Sequence, residues 1–326
     1  MSSKHHYLPQ FYLKGFVDSA YKQLYYCKKE YKKYKSVSTA GIYYKEGLNN
    51  IEFGDNFFDL EKEFFFEKDN KYASAFNKLK DCNYDVNEIH LQTKADIIEF
   101  VLGLYWRVPG GLDNVRKLIE HDGLFTGDLQ LLNRETNHIY TDEEVPNIIN
   151  DIKTKEFNLK SFMPIFYDEI IRKHDWNNIN NKFKIFEVNQ PLIIGDIPFI
   201  PLKSENKRDK ILEEFIIPID KNHILIYANK TPRFLEANFI HLINLYIING
   251  ASEKIACSDL SYLKNVMEIA ETSKRNFHKL GYKEISIHFI SLLMEFESQF
   301  HSYEDFLKYY NSIMNYSATY LTPDQS

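Results

Sequence analysis

Two adjacent histidines near the start of the chain are the first side chains whose type could support chemistry. His5 and His6 lie in the stretch KHHYLPQFYLKGF at 4–16. A neutral imidazole can ligate a metal ion or act as a general base near pH 7, because its unperturbed pKa is about 6.5. Neighbouring residues of an extended segment point to opposite sides, so at most one of the two is expected in a given site. The alternative is a structural histidine that hydrogen-bonds the backbone while aromatic neighbours hold the arm in a core.

An arginine and an aspartate further along the chain could complete a phosphate-binding or hydrolytic site. Arg107 ends a predicted helix before Pro109, and neither Gly103 nor Leu104, one turn earlier, is a carboxylate that could pair with it. Its guanidinium could clamp a phosphate in bidentate fashion or, alternatively, cap the helix carbonyls. Asp196 follows an apolar strand, a rigid position from which a carboxylate can ligate a metal or orient a catalytic group. The alternative for Asp196 is an Asx-type turn in which it bonds the backbone.

Acidic residues of a predicted helix add a third type of group. Glu63 and Glu67 are four residues apart and share a helix face, whereas Glu61 lies mostly elsewhere. Paired carboxylates on one face can bind Mg²⁺, or they can form an ordinary solvated surface. The pattern therefore names Mg²⁺ as a candidate cofactor without assigning its ligands.

The segment Lys22–Lys35 interleaves lysine and tyrosine. Single-stranded nucleic acid needs cations for its phosphates and aromatic faces for its bases, so this pattern predicts a nucleic-acid contact. The residues assigned to that contact are Lys28, Lys29, Lys32, Lys33 and Tyr26. The alternative is an edge strand whose lysines prevent pairing with other chains.

The composition excludes several classes of protein. The 326 residues hold 40 Lys and Arg against 46 Asp and Glu, so bulk charge does not indicate a basic nucleic-acid binder, although residues 1–37 carry eight lysines against two acids. Three separated cysteines without a CxxC pair argue against a disulfide framework and a cysteine zinc site. The absence of a recognisable signal peptide or membrane-length apolar segment predicts a soluble, cytoplasmic protein without membrane contact. The sequence has no HExxH, P-loop or GxSxG motif, so it does not support the mechanisms that depend on them.

Hydrophobic periodicity divides the chain into helical and strand-rich parts. Helices are predicted at Phe57–Lys80, 87–106, 112–121, 142–153, 157–174 and 235–248, with two or three more in 252–316. Short β-branched and aromatic strands are predicted at Lys22–Cys27, Lys182–Val188, Pro191–Ile194, Glu214–Pro218 and His223–Tyr227.

These elements predict an α+β fold. A mainly antiparallel sheet would join the N-terminal strands to those of 182–228, with helices packed on it. Residues 1–265 are assigned to this domain, and residues 266–326 to a helical C-terminal extension packed on the same domain.

The N-terminal stretch resembles the opening signature of the bacterial domain of unknown function 4238 family, whose typical form is His-Tyr-x-Pro-x-x-x-Leu-x-x-Phe. The matching residues are His6, Tyr7, Pro9, Leu13 and Phe16. Because the signature contains His6, this histidine is the one we assign to the site.

Three later motifs follow the family order and extend the resemblance over residues 4–265. Arg107-Val108-Pro109 resembles the family's Arg-Thr-Pro, Ile194–Pro198 resembles its Thr-Ser-Asp-x-Pro, and IIPIDKNHILIY at 216–227 resembles a strand pair. The helix with Glu61 resembles the family's acidic helix, which makes Glu61 a further candidate. Apolar residues and glycine replace the hydroxyl residues of the first two motifs, so any role of those hydroxyls is not carried over.

The resemblance implies a bacterial protein associated with anti-phage defence. The leading hypothesis is therefore a defence effector that acts on nucleic acid as a nuclease, a hydrolase. In its site His6 would be general base or metal ligand, Arg107 the phosphate clamp and Asp196 a metal ligand or orienter, with Glu61 nearby.

Two alternative functions stay open. The first is a non-catalytic module that recognises a phage-encoded trigger protein or nucleic acid. The second is a hydrolase or transferase of a small phosphorylated metabolite, which predicts a closed pocket around Arg107 and not an open basic groove.

Overall fold

The fold is described from a computed structural model. It describes residues 4–17, 22–53, 56–122, 132–133, 136–141, 143–154, 156–207, 209–232, 235 and 237–277. The predicted helices beyond 277, and with them most of the proposed 266–326 extension, lie outside the described residues. The last described helix, Leu260–Phe277, crosses the proposed boundary at 266.

Segments with helical periodicity form nine α-helices in the described ranges. They are α1 (Gln10–Leu13), α2 (Phe66–Asp81), α3 (Leu91–Arg107), α4 (Gly111–Asp122), α5 (Val145–Thr154), α6 (Glu156–Lys173), α7 (Ile179–Lys182), α8 (Ala237–Gly250) and α9 (Leu260–Phe277). The helix α3 ends at Arg107 because Val108, with ψ 162°, is extended, as a residue before proline prefers. Pro146 stands in the first turn of α5, where its missing N–H is harmless.

The same ranges contain fourteen short strands. They are β1 (Lys4–His6), β2 (Leu24–Lys28), β3 (Lys35–Val37), β4 (Tyr44–Glu46), β5 (Asn50–Phe53), β6 (Asn56–Asp59), β7 (Leu132–Asn133), β8 (His138–Ile139), β9 (Phe183–Glu187), β10 (Ile194–Gly195), β11 (Ile200–Lys203), β12 (Glu214–Pro218), β13 (His223–Tyr227) and β14 (Lys254–Cys257). Small antiparallel sheets packed with helices confirm the α+β class.

The strands do not join into one sheet. One four-stranded sheet has the order β11-β12-β13-β9, and a second has the order β10-β14-β2-β3. The N-terminal β2 pairs with β14, where Ile255 lies opposite Cys27, and β14 pairs on its other side with β10. The strand β14 is only four residues long and is not predicted from the sequence.

The helix predicted from Phe57 begins later than expected. Asn56–Asp59 forms β6, paired with β5, and Glu61–Phe65 is a π-helical turn that leads into α2. The Asp59 carboxylate accepts the backbone N–H of Glu61 at 3.0 Å, which stabilises the start of the turn. Such π-helical turns often occur at functional sites, and Glu61 is the first residue of this one.

Aromatic residues fix the N-terminal arm to the core. The buried Tyr12 ring packs against Phe16, Phe76 and Phe100 at centroid distances of 5.2, 5.8 and 5.2 Å. The Tyr12 hydroxyl donates to the Pro218 carbonyl at 2.6 Å. The arm, and the histidines at its start, are thereby held against α2, α3 and the strand β12.

Candidate functional site

Arg107 is the centre of a buried ionic cluster. Its Nη1 donates to Asp69 Oδ1 at 2.6 Å, and its Nη2 donates to Glu61 Oε1 at 3.2 Å and to the His6 carbonyl at 3.0 Å. The guanidinium carbon lies 4.4 Å from the centre of the Phe65 ring, a cation–π contact. Arg107 therefore joins β1, the π-helical turn and α2 at the end of α3.

Burial and charge oppose each other in this cluster. Burial alone would lower the pKa of Arg107, but the carboxylates of Asp69 and Glu61 outweigh it and raise that pKa, so the guanidinium stays charged. Burial raises the pKa of Glu61, and the Arg107 charge only partly offsets this rise. The cluster is held together because each charge would be costly to bury alone.

A second group of polar residues extends the cluster to His5. Asn49 donates from its side chain to Glu61 Oε2 at 2.7 Å, and its backbone N–H donates to His5 Nδ1 at 2.9 Å. His5 Nε2 lies 3.6 Å from Asp59 Oδ1. Sequence reasoning missed Asn49, Asp59 and Asp69, since they match no motif. The alternation of side chains along an extended strand is the sequence signal that could have identified His5.

The two histidines point to opposite sides of β1, as predicted, but they divide their roles differently. His5 is buried and its ring joins the cluster, whereas the His6 ring lies toward Tyr44, with 5.7 Å between ring centres. His6 contributes its backbone carbonyl to Arg107. Burial lowers the pKa of the His6 imidazole, a hydrogen bond with the Ala40 backbone opposes this, and the Arg107 charge lowers the pKa further.

Asp196 occupies a different environment. It is fully buried, and its carboxylate accepts three consecutive backbone N–H groups, those of Ser252 at 2.6 Å, Glu253 at 2.6 Å and Lys254 at 2.9 Å. Burial raises its pKa, and the three backbone hydrogen bonds oppose that rise. Within the described ranges, no hydrogen bond or ion pair joins Asp196 to His6, Arg107 or Glu61. The structure thus brings those three together and uses Asp196 to close a backbone turn.

The lysines assigned to nucleic acid mostly have partners within the chain. Lys28 is ion-paired with Glu253, Lys32 Nζ lies 2.7 Å from Glu271 Oε2, and Lys29 Nζ donates to the Asn249 and Ala251 carbonyls at 3.1 and 2.6 Å. Lys33 is exposed. Tyr26 lies on β2, which has β14 on one side and β3 on the other. The strand β2 is therefore not an edge strand, and the edge of this sheet is β3, which begins at Lys35. Three of the four assigned lysines have partners within the chain, and their contact with nucleic acid stays a prediction.

A cavity of about 570 Å³ opens beside Arg107. Its lining comes from the turn around 45–49, from residues 106–116 and from the helices α5 and α6. The charged residues of this lining are four cations and one acid, namely Lys45, Arg107, Arg116, Lys160 and Asp113. Asp113 is ion-paired with Arg116, and Lys160 Nζ donates to the Asn50 carbonyl at 3.3 Å. The lining as a whole has an excess of positive charge.

The described residues contain neither a clustered set of metal ligands nor a helix that could span a membrane. Across the ranges that the structure describes, no group of three or more His, Cys, Asp or Glu side chains is arranged to hold a metal ion. Glu63 and Glu67 are exposed. In the same ranges no helix combines the length and the apolar character needed to cross a bilayer.

The fold and the site define an α+β protein with a histidine–arginine–carboxylate cluster beneath a cationic cavity. A family profile described as "Protein of unknown function (DUF4238)" matches residues 4–261, and the chain belongs to this family. The resemblance inferred from the motifs is thereby confirmed. Neither a curated protein nor a solved structure matches the chain.

Proposed function

We propose that this protein binds a phosphorylated ligand of nucleotide size in the cavity beside Arg107. The observation that carries the proposal is the cavity lining, in which four cationic residues accompany a single acidic one among the described residues. Phosphate groups offer negative charge and several acceptor oxygens, which lysine and arginine recognise. The volume of about 570 Å³ lies in the usual range of small-ligand sites.

Arg107 is a positioning residue in this proposal and not a free phosphate clamp. Its two terminal nitrogens already donate to Asp69, Glu61 and the His6 carbonyl. The attraction for phosphate therefore rests mainly on Lys45, Arg116 and Lys160. A pocket at Arg107 supports the hypothesis of a small phosphorylated ligand over that of an open basic groove.

A second candidate function is the hydrolysis of nucleic acid, which the motifs and the resemblance suggest. The exposed Lys45 and the partly exposed Arg116 favour it, since cations at the cavity opening could hold the backbone of a longer chain. In this candidate function Asp113, whose side chain is 64% exposed and ion-paired with Arg116, would accept a proton from water. Asp196 has no part in this version, because backbone groups occupy its carboxylate.

We place this function in bacterial anti-phage defence and in the cytoplasm. The family resemblance supports the first, and three free cysteine thiols support a reducing compartment. Phage challenge of cells that express wild type or Lys160→Glu tests the defence role. If both proteins protected the cells equally, protection would not depend on the cavity.

The binding proposal is tested by titration calorimetry with adenosine 5′-monophosphate. We expect Lys45→Glu and Lys160→Glu each to weaken binding about tenfold, because each replaces an attractive charge with a repulsive one. Lys80→Glu is the matched control, an equal charge change at an exposed position of α2 outside the cavity. If all three variants weakened binding equally, the effect would come from the net charge of the protein and not from the cavity.

The nuclease candidate needs its own assay. Wild type and Asp113→Asn are incubated with single-stranded RNA and DNA. Cleavage by wild type that Asp113→Asn loses supports hydrolysis at the cavity opening. If the protein binds the nucleotide but wild type cleaves neither RNA nor DNA, the nuclease candidate is rejected and the binding function remains.

A further inference from the structure

One acidic residue lies among the cations that line the cavity. The charged residues of the described lining are Lys45, Arg107, Arg116, Lys160 and Asp113. A carboxylate lowers the affinity of a cationic cavity for an anion, because it repels the anion and pairs with the cations. The effect of Asp113 on a ligand therefore depends on the cation with which it pairs.

Asp113 pairs with Arg116 along α4. Asp113 Oδ1 accepts a hydrogen bond from Arg116 Nη1, since residues three positions apart are neighbours on a helix. Both residues line the cavity. An anion that binds Arg116 therefore meets a guanidinium group that already donates to a carboxylate of the same cavity.

The two arginines of the lining differ in how firmly they hold their carboxylates. The Arg107 side chain is 4% exposed, and its partners Glu61 and Asp69 are not among the lining residues. The side chains of Arg116 and Asp113 are 40% and 64% exposed. Breaking a buried ion pair is costly, whereas water screens an exposed pair and replaces its contacts. Arg116 is therefore the arginine of the lining whose carboxylate a ligand can displace.

We propose that Asp113 is a built-in competitor of the ligand: it occupies Arg116 in the free protein, and the phosphate group binds Arg116 by displacing it. This inference rests on the proposed phosphate-binding function and assigns both the residue that receives the phosphate and the residue that limits the affinity. Carboxylate and phosphate oxygens accept the same guanidinium N–H groups, so the two anions compete for them. Lys45 on β4 and Lys160 on α6 attract the incoming phosphate and favour the exchange.

The competitor predicts that the loss of one carboxylate tightens binding. Asp113→Asn should bind adenosine 5′-monophosphate about fivefold more tightly than wild type, the effect expected from an exposed ion pair. Inorganic phosphate should gain by a similar factor, whereas adenosine, which has no phosphate, should gain nothing. Titration calorimetry measures all three ligands. Glu120→Gln is the matched control, the same charge change at an exposed position of α4 outside the lining, and should alter affinity by less than about twofold.

The dependence on Arg116 separates displacement from simple repulsion. In an Arg116→Gln background the competitor has no guanidinium to occupy, so adding Asp113→Asn should change affinity by less than about twofold. A gain of full size that persists without Arg116 would show that Asp113 only repels the ligand, and the displacement would be wrong. Asp113 also lies in the first turn of α4, where a carboxylate stabilises the helix. A purely structural role would lower the unfolding temperature of Asp113→Asn and leave its affinity unchanged.

The inference and the proposed function can fail separately. If Lys45→Glu and Lys160→Glu weaken nucleotide binding but Asp113→Asn binds like wild type, the competitor is wrong and the proposed function stands. Equal gains for adenosine and its monophosphate would likewise reject the competitor, because the competition concerns the phosphate. If neither phosphate nor the nucleotide binds to wild type or to Asp113→Asn, both proposals fall together.

Discussion

Arg107 and Asp196 are both buried charges from motifs that predicted one shared site, yet their surroundings differ in kind. The Asp196 carboxylate accepts its hydrogen bonds from three consecutive backbone N–H groups of one turn, 252–254. Arg107 draws its partners from three separate segments, at His6, Glu61 and Asp69. Its Nε has no hydrogen-bond partner among the described residues, and Arg107 is one of the residues that line a cavity.

This contrast separates a structural charge from a candidate functional one. When consecutive backbone N–H groups donate to a carboxylate, its oxygens already accept hydrogen bonds that close a turn. Such a carboxylate has a structural role. A cluster that joins distant segments next to a cavity makes that cavity a candidate ligand site. Burial and a motif alone do not distinguish the two, whereas the identity of the partners does.

The largest effect should follow from removing the charge of Arg107. Arg107→Met would leave Glu61 and Asp69 without their common cation, and we expect a loss of about 3–5 kcal/mol in the free energy of unfolding. Urea denaturation at pH 7 measures it. Arg107→Met combined with Glu61→Gln and Asp69→Asn should recover part of the loss, since no buried charge is then left unpaired. A loss below about 1 kcal/mol would show that the cluster is solvated, so that Arg107 is not the buried charge that the comparison with Asp196 assumes.

Removing the Asp196 carboxylate should have a slightly smaller effect. Asp196→Ala would leave three backbone N–H groups without their acceptor, for an expected loss of about 3 kcal/mol. Asp196→Asn, which keeps one acceptor oxygen, should lose less. Neither variant should change the affinity for adenosine 5′-monophosphate once measured on folded protein. A selective loss of affinity at unchanged stability would return Asp196 to the functional site.

The stability of the region around Arg107 should depend on pH through His6. Because its pKa in the folded protein is lowered mainly by burial, the unfolded chain binds its proton first as the pH falls below about 6.5. The His6 contribution to stability is full above that pH and is lost toward the lower folded pKa. Urea midpoints at pH 7.5 and 5.5 should therefore differ more for wild type than for His6→Gln. His121→Gln, at an exposed position of α4, is the control and should behave like wild type. An equal difference between the two midpoints in all three proteins would contradict the burial of the His6 ring.

The sequence predicts elements with local signals better than contacts between distant segments. The strands at Glu214–Pro218 and His223–Tyr227 coincide with β12 and β13, because β-branched residues bounded by turn residues are a local pattern. The strand β14 and its pairing with β2 escaped prediction, since pairing across more than 200 residues leaves no local trace.

The same distinction applies to the candidate site. Arg107 and Glu61 were predicted and do meet. Asp69 and Asn49 were missed, because only the fold places them beside that pair. The separation of Asp196 from this cluster could not be predicted either, since it depends on the turn that follows α8. Residue type thus identified candidates, and tertiary packing decided their partners.

The smallest effect is expected from the basic surface near β2, which tests the alternative of a sensing module. Lys28 and Lys32 pair with Glu253 and Glu271 on the surface, and Lys33 is exposed. We leave Lys29 unchanged, because its Nζ donates to two backbone carbonyls and its loss would disturb the fold. Reversal of the other three lysines to glutamate should leave nucleotide affinity at the cavity unchanged within about twofold at physiological salt, where distant surface charges are screened. Phage protection in cells is measured alongside, and its loss in a folded variant with intact cavity binding would move recognition from the Arg107 cavity to this surface.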